Sequence, residues 1–122
     1  MRSVVSKIDL LRATVSDIKP DIICLSETWT NIDHTNAFLH IQGYNIIARK
    51  DRTDTKCGAG GGLLIYALSD LQVFEVQSQV MYEQFNQFLQ VKIASSHNKY
   101  LNINLIYRPH KLYDDREVCT NN

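Results

Sequence analysis

Apolar residues recur at Val4, Ile8, Leu11, Val15 and Ile18, in steps of four, three, four and three. Such spacing lays one apolar stripe along an α-helix, and it predicts a helix over 3–19 that covers a sheet. Lys7, Asp9, Arg12 and Asp17 fall on its wet face, Ser3 or Ser6 is a candidate cap, and Ser6 with Asp9 has the outline of a capping box. Pro20 closes the segment. Ile22 to Leu25 follows as a short, β-branched apolar run without alternation. It reads as an interior strand with both faces covered. The run ends on a carboxylate, Glu27. Ligands and catalytic groups of α/β proteins gather at the carboxyl ends of such strands, so Glu27 is either a site residue or a polar loop residue.

Asn31 to Gly43 is polar and irregular, anchored by Phe38, Leu39 and Ile41. Tyr44 to Ala48 reads as a second strand. The loop Arg49 to Lys56 carries four basic and two acidic residues, a net charge of +2. Gly58-Ala59-Gly60-Gly61-Gly62 then runs into a further strand, Leu63 to Leu68. A phosphate loop would need Lys-Ser/Thr and a helix after the last glycine, so this run is instead the entry to a strand that passes close to another backbone. Val73 to Val76 is a short strand, and in Phe88 to Ala94 the residues Leu89, Val91 and Ile93 alternate with Gln90 and Lys92. Asn98-Lys99 is a turn before the strand Tyr100 to Tyr107. Strands joined by short turns imply antiparallel pairing. After Pro109 no pattern remains, so 1–109 reads as one domain portion and 110–122 as a frayed tail.

Composition narrows the function classes. The 122 residues carry 13 Lys+Arg against 13 Asp+Glu, so any nucleic-acid contact must come from a local patch. Four histidines and three cysteines make no metal-ligand spacing. The odd cysteine count, with Cys24 inside an apolar strand, favours reduced thiols in an intracellular compartment. Neither a signal peptide nor a membrane-spanning run is expected.

Two strand ends carry suggestive chemistry. Glu27 ends one, and Tyr107-Arg108-Pro109 ends another. A carboxylate binds a hard cation, while a phenol and a guanidinium donate to phosphate oxygens. Around these residues the chain resembles a known family. Ile22-Ile23-Cys24-Leu25-Ser26-Glu27-Thr28-Trp29 is similar to the Leu-(Ser/Thr)-Glu-Thr-Trp segment of the endonuclease/exonuclease/phosphatase superfamily, in particular the endonuclease domains of LINE-type non-LTR retrotransposons. Lys7 to Pro20 resembles its first helix. Gly43-Tyr44, Arg49-Lys50-Asp51-Arg52 and Gly60-Gly61-Gly62-Leu63-Leu64-Ile65-Tyr66 resemble its central run, and Leu105-Ile106-Tyr107-Arg108-Pro109 its Tyr-Arg-Pro strand end.

The resemblance implies a partial four-layer α/β sandwich, with a mixed sheet on which the 3–19 helix packs. It implies phosphodiester hydrolysis with Mg²⁺ or Mn²⁺, Glu27 as metal ligand, Tyr107 against the scissile phosphate, and DNA as partner of the full-length parent. Arg49, Lys50, Arg52 and Arg108 are the candidate nucleic-acid contacts. A nuclear location follows for an active retrotransposon protein. The family's Asn-bearing strand before the first helix, its Gly-Asp-Phe-Asn-like segment and its final Asp-His do not appear. The chain therefore reads as the N-terminal half of the domain, inactive alone, or else as a non-enzymatic remnant or interaction module. A half-domain is expected to expose an apolar sheet face, such as Leu89, Val91 and Ile93 or Leu101, Ile103 and Leu105, and to self-associate through it.

Overall fold

The computed structural model describes residues 3–52, 61–80, 87–94 and 98–107, with 75–80, 87 and 107 described in their backbone alone. The apolar stripe folds as expected, in two parts. A 3₁₀ turn, Val4–Lys7, leads into helix α1, Ile8–Ile18. Val4, Ile8, Leu11 and Val15 are buried, while Ile18 is exposed at the last turn. Neither end uses the expected capping box: the Ser6 hydroxyl donates to the Ser3 carbonyl at 3.2 Å, and no side chain caps α1. The 3₁₀ turn occupies the residues that such a box would need. At the other end Lys19 adopts a left-handed conformation, its N–H bonding the Val15 carbonyl at 2.7 Å, and Pro20 prevents continuation.

Six strands follow: β1 (Ile22–Ser26), β2 (Tyr44–Lys50), β3 (Leu63–Leu68), β4 (Val73–Val80), β5 (Gln87–Ala94) and β6 (Tyr100–Tyr107). A single turn of helix, α2 (Asn36–Leu39), lies between β1 and β2. The strands form two three-stranded sheets, ordered β1-β3-β2 and β4-β5-β6. Every described pairing is antiparallel, where a mixed sheet was expected. The short connections between β4, β5 and β6 allow nothing else. β4 runs four residues beyond the expected Val76, because the ladder continues from Val76 opposite Val91 to Val80 opposite Gln87.

The interior strand of the first sheet is β3, not β1. From Leu63 to Ala67 each β3 residue is fully buried. Leu64 and Tyr66 join a cluster with Val4, Ile8, Leu11, Val15 and Ile23, which seats α1 on one face of the sheet. Leu63 and Ile65 join Ala48 and, from the second sheet, Leu89, Val91 and Ile93. β1 pairs with β3 alone among the described residues, and the second sheet covers its Ile22 but leaves Cys24 exposed. An edge strand with one apolar face toward the helix explains that exposure. The same packing overturns the expected open face at Leu89, Val91 and Ile93: the sheets bury these residues between them. Ile103 and Leu105 are partly buried in that cluster, and among the described residues the exposed large apolar side chains of the second sheet are Phe74, Tyr100, Leu101 and Ile106. Among the described residues no helix is long and apolar enough to cross a membrane.

Candidate functional site

Glu27 is the first residue after β1, and its neighbourhood is assembled from three distant segments. Its backbone has φ 53°, and Trp29 has φ 62°. Two left-handed residues that are not glycine, separated by one position, cost about 1–2 kcal/mol each unless the surroundings enforce them. The surroundings do. The Ser3 N–H donates to the Glu27 carbonyl at 2.7 Å, tying the rim to the start of the helical segment. Thr28 N–H donates to the Gly62 carbonyl at 3.3 Å, and Trp29 N–H to the Gly61 carbonyl at 3.0 Å. The glycine entry thus does pass close to another backbone. A Cβ at Gly62, which has φ +98°, would lie 2.3 Å from Thr28 Oγ1 and 3.1 Å from Trp29 N. Only glycine fits there.

On either side of Trp29 a pair of hydroxyls is sealed from water. Thr28 and Thr30 are fully buried, and their Oγ1 atoms lie 3.1 Å apart in a hydrogen bond. The Thr30 carbonyl accepts from Arg52 N–H at 2.9 Å. Residues 31–36 continue the rim as a chain of local bonds. Asn31 Oδ1 accepts from Asp33 N–H at 2.8 Å, His34 Nδ1 accepts from Asn31 N–H at 3.0 Å, and Thr35 Oγ1 accepts from Phe38 N–H at 3.1 Å, capping α2.

Arg49 holds this rim from below. Its guanidinium donates to Asp51 Oδ1 at 2.8 Å, Asn36 Oδ1 at 2.7 Å, and the carbonyls of Asn31 at 2.8 Å and His34 at 2.5 Å. The expectation that Arg49 lies in a surface loop is corrected here: it stands on β2, and its guanidinium makes four hydrogen bonds within the protein. Lys50 ends β2 opposite Leu63, and Arg52 contributes its backbone to Thr30. The rest of the charged loop, Arg108 and the tail after Pro109 lie outside the described residues. Apart from Asp51, the structural partners of Arg49 could not be anticipated from sequence, because they lie 13–18 positions away and two are backbone carbonyls. The buried threonines had a faint signal, their spacing of two residues across Trp29.

Tyr107 is the last residue of β6, opposite Gln87 of β5, and its side chain lies outside the described residues. β1 and β6 are in contact, so Glu27 and Tyr107 follow or end strands that meet across the two sheets. Among the described residues no group of three His, Cys, Asp or Glu is gathered. Glu27 is the carboxylate that directly follows β1, and a hard cation such as Mg²⁺ needs only one or two protein carboxylates because it keeps several waters. One further ionisable group is perturbed nearby. The Tyr66 phenol, fully buried on β3, donates to the Leu39 carbonyl at 2.6 Å, and burial pushes its pKa up to about 12 against the opposing pull of Arg12 and Arg49. It stays protonated and structural. Comparison of the chain with protein-family models and with curated proteins finds no match.

Proposed function

We propose that these residues are the first part of a Mg²⁺-dependent DNA endonuclease domain of the endonuclease/exonuclease/phosphatase superfamily, derived from a non-LTR retrotransposon and inactive without further segments. The observation that carries the reading is the state of Glu27. It follows a strand end directly, in a left-handed conformation held by bonds from Ser3 and across to Gly61 and Gly62. Strained residues cluster where function needs a fixed group, and here the fixed residue is a carboxylate. Two antiparallel sheets with a common apolar cluster, and a helix on the outer side of one, are the parts from which that superfamily's sandwich would be built.

In this reading Glu27 holds the cation, and a bound Mg²⁺ supplies polarisation of the phosphoryl oxygen and stabilisation of the leaving oxyanion. Tyr107 supplies a phenolic donor to the phosphate. The Thr28–Thr30 pair and Arg49 position the rim and touch no substrate. A positioned base contributes ~10²–10⁴-fold to such a hydrolysis, and the family's base belongs to a Gly-Asp-Phe-Asn-like segment that these residues do not contain.

Two measurements test the proposal. Substoichiometric Mn²⁺ should broaden the amide resonances of residues 26–30 selectively, and Glu27→Gln should abolish the effect. Broadening elsewhere, or broadening that persists in the variant, refutes the metal site. Plasmid nicking with Mg²⁺ should be absent. Nicking that disappears in Glu27→Ala would show that a base exists within these residues, and would overturn the inactivity.

A further inference from the structure

A cavity of about 690 Å³ opens between α1 and the segment that joins α2 to β2. It lies at the end of the first sheet remote from Glu27. Leu68, which lines it, is paired with Tyr44 and bonds the Asp21 carbonyl at 3.0 Å, whereas Glu27 follows Ser26, opposite Leu63. The cavity therefore belongs to no part of the site described above.

Two cationic side chains, Arg12 and Lys19, line it together with His40, and among the described residues no Asp or Glu does. In a chain whose basic and acidic residues balance at 13 each, that local excess is a departure that selects for anions. The arrangement is pre-formed. Arg12 Nε donates to the His40 carbonyl at 3.0 Å and its NH2 group to the Phe38 carbonyl at 2.7 Å, locking the α2–β2 segment against α1. Asp9 lies 3.3 Å from the remaining terminal nitrogen of Arg12, outside the lining. Lys19 is exposed and makes no ion pair among the described residues. The floor is apolar, made by buried Val15, Ile41 and Tyr44, whose hydroxyl is held by the Pro20 carbonyl. At the mouth, a Cβ on Gly43 would meet nothing within 4 Å.

A volume in the range of roughly 300–1,000 Å³, an apolar floor and a few convergent polar groups are the marks of a small-molecule site. We propose that this cavity binds a small amphipathic anion, with a planar apolar body on the Val15–Ile41–Tyr44 floor and a single acidic head between Arg12 and Lys19. The proposal needs neither the cation nor DNA, so its outcome is independent of the Glu27 reading.

Naphthalene-2-sulfonate is a suitable probe, titrated into the whole chain labelled with nitrogen-15. Saturable shifts are expected at the amides of Ser16, Gln42 and Gly43. Lys19→Glu should weaken binding about ten-fold, since attraction at an exposed position becomes repulsion, and Lys19→Arg should preserve it. Neutral naphthalene-2-sulfonamide should bind at least ten-fold more weakly. Shifts confined to the Phe74–Tyr100 face overturn the proposal. So does equal affinity for the two probes, or unchanged affinity in Lys19→Glu.

Discussion

Replacing Gly62 by alanine tests whether the rim is enforced by the close approach of β3's entry to Thr28. Two costs arise. At φ +98° a side chain is strained, by about 1–2 kcal/mol. The new methyl would also sit 2.3 Å from Thr28 Oγ1, in a place that cannot yield freely because Thr28 is fully buried and bonded to Thr30. Relief requires breaking the hydroxyl pair or lengthening the Thr28–Gly62 backbone bond, either of which leaves a buried polar group unsatisfied at about 1–3 kcal/mol. The sum, about 2–5 kcal/mol, is a large share of the total stability of about 5–15 kcal/mol that a domain possesses.

Gly43 supplies the internal control. It too has positive φ, +88°, yet a Cβ there meets nothing within 4 Å. Gly43→Ala therefore carries the conformational strain without the collision, and should cost about 1–2 kcal/mol. Urea unfolding followed by tryptophan emission reads both variants. The chain has one tryptophan, Trp29, and its N–H bonds Gly61 beside the substituted position. The expected result is a midpoint for Gly62→Ala well below that of Gly43→Ala at similar slope. Equal midpoints would refute the reasoning, because backbone strain alone would then account for both.

Arg49→Ala should destabilise the fold by about 2 kcal/mol, since its charge-assisted bonds to the rim are partly buried, whereas Lys50→Ala should stay within about 0.5 kcal/mol of wild type; urea midpoints distinguish them, and equal effects would deny Arg49 its role. Tyr66→Phe should cost about 1–2 kcal/mol by orphaning the Leu39 carbonyl. Its pH dependence is also defined. Burial raises the folded pKa to about 12, above the ordinary phenol value of about 10, so this group's stabilisation is complete below pH 10 and is lost as pH rises toward 12. The stability difference between wild type and Tyr66→Phe should shrink over that window, and a difference that stays constant would contradict it.

Much of the architecture is legible in the residues because it rests on short-range pattern. The stripe Val4, Ile8, Leu11, Val15 specifies the helix and the face it buries, and Leu63 to Leu68 and Tyr100 to Tyr107 have the bounds they show as strands. The run of glycines before Leu63 also points correctly to a close backbone approach, which Gly61 and Gly62 make to Trp29 and Thr28. What pattern could not rank was burial. Ile22–Leu25 and Leu63–Leu68 are both unbroken apolar runs, and only the pairing of strands decides that the second is central. Two covered faces require a partner layer on each side, and a local sequence does not say which strand will lie between the helix and the second sheet. Arg49 eluded sequence for the opposite reason. Its charge resembles every exposed arginine, and its commitment is to carbonyls of a loop that pattern reads as irregular.

The central position of β3 has a consequence for Glu27. Leu64 and Tyr66 hold β3 to the helix, Leu63 and Ile65 hold it to the second sheet, and the carbonyls just before Leu63 receive Thr28 and Trp29. The carboxylate rim therefore hangs on a strand fixed from both faces, although β1, which carries it, is an edge strand. Ser3 adds a second tether from the helical side. Rigidity at Glu27 is thus borrowed from two apolar clusters through backbone hydrogen bonds, which do not depend on the identity of its own side chain. That separation lets the carboxylate be replaced without unfolding the rim, and it makes Glu27→Gln a test of chemistry while Gly62→Ala is a test of structure.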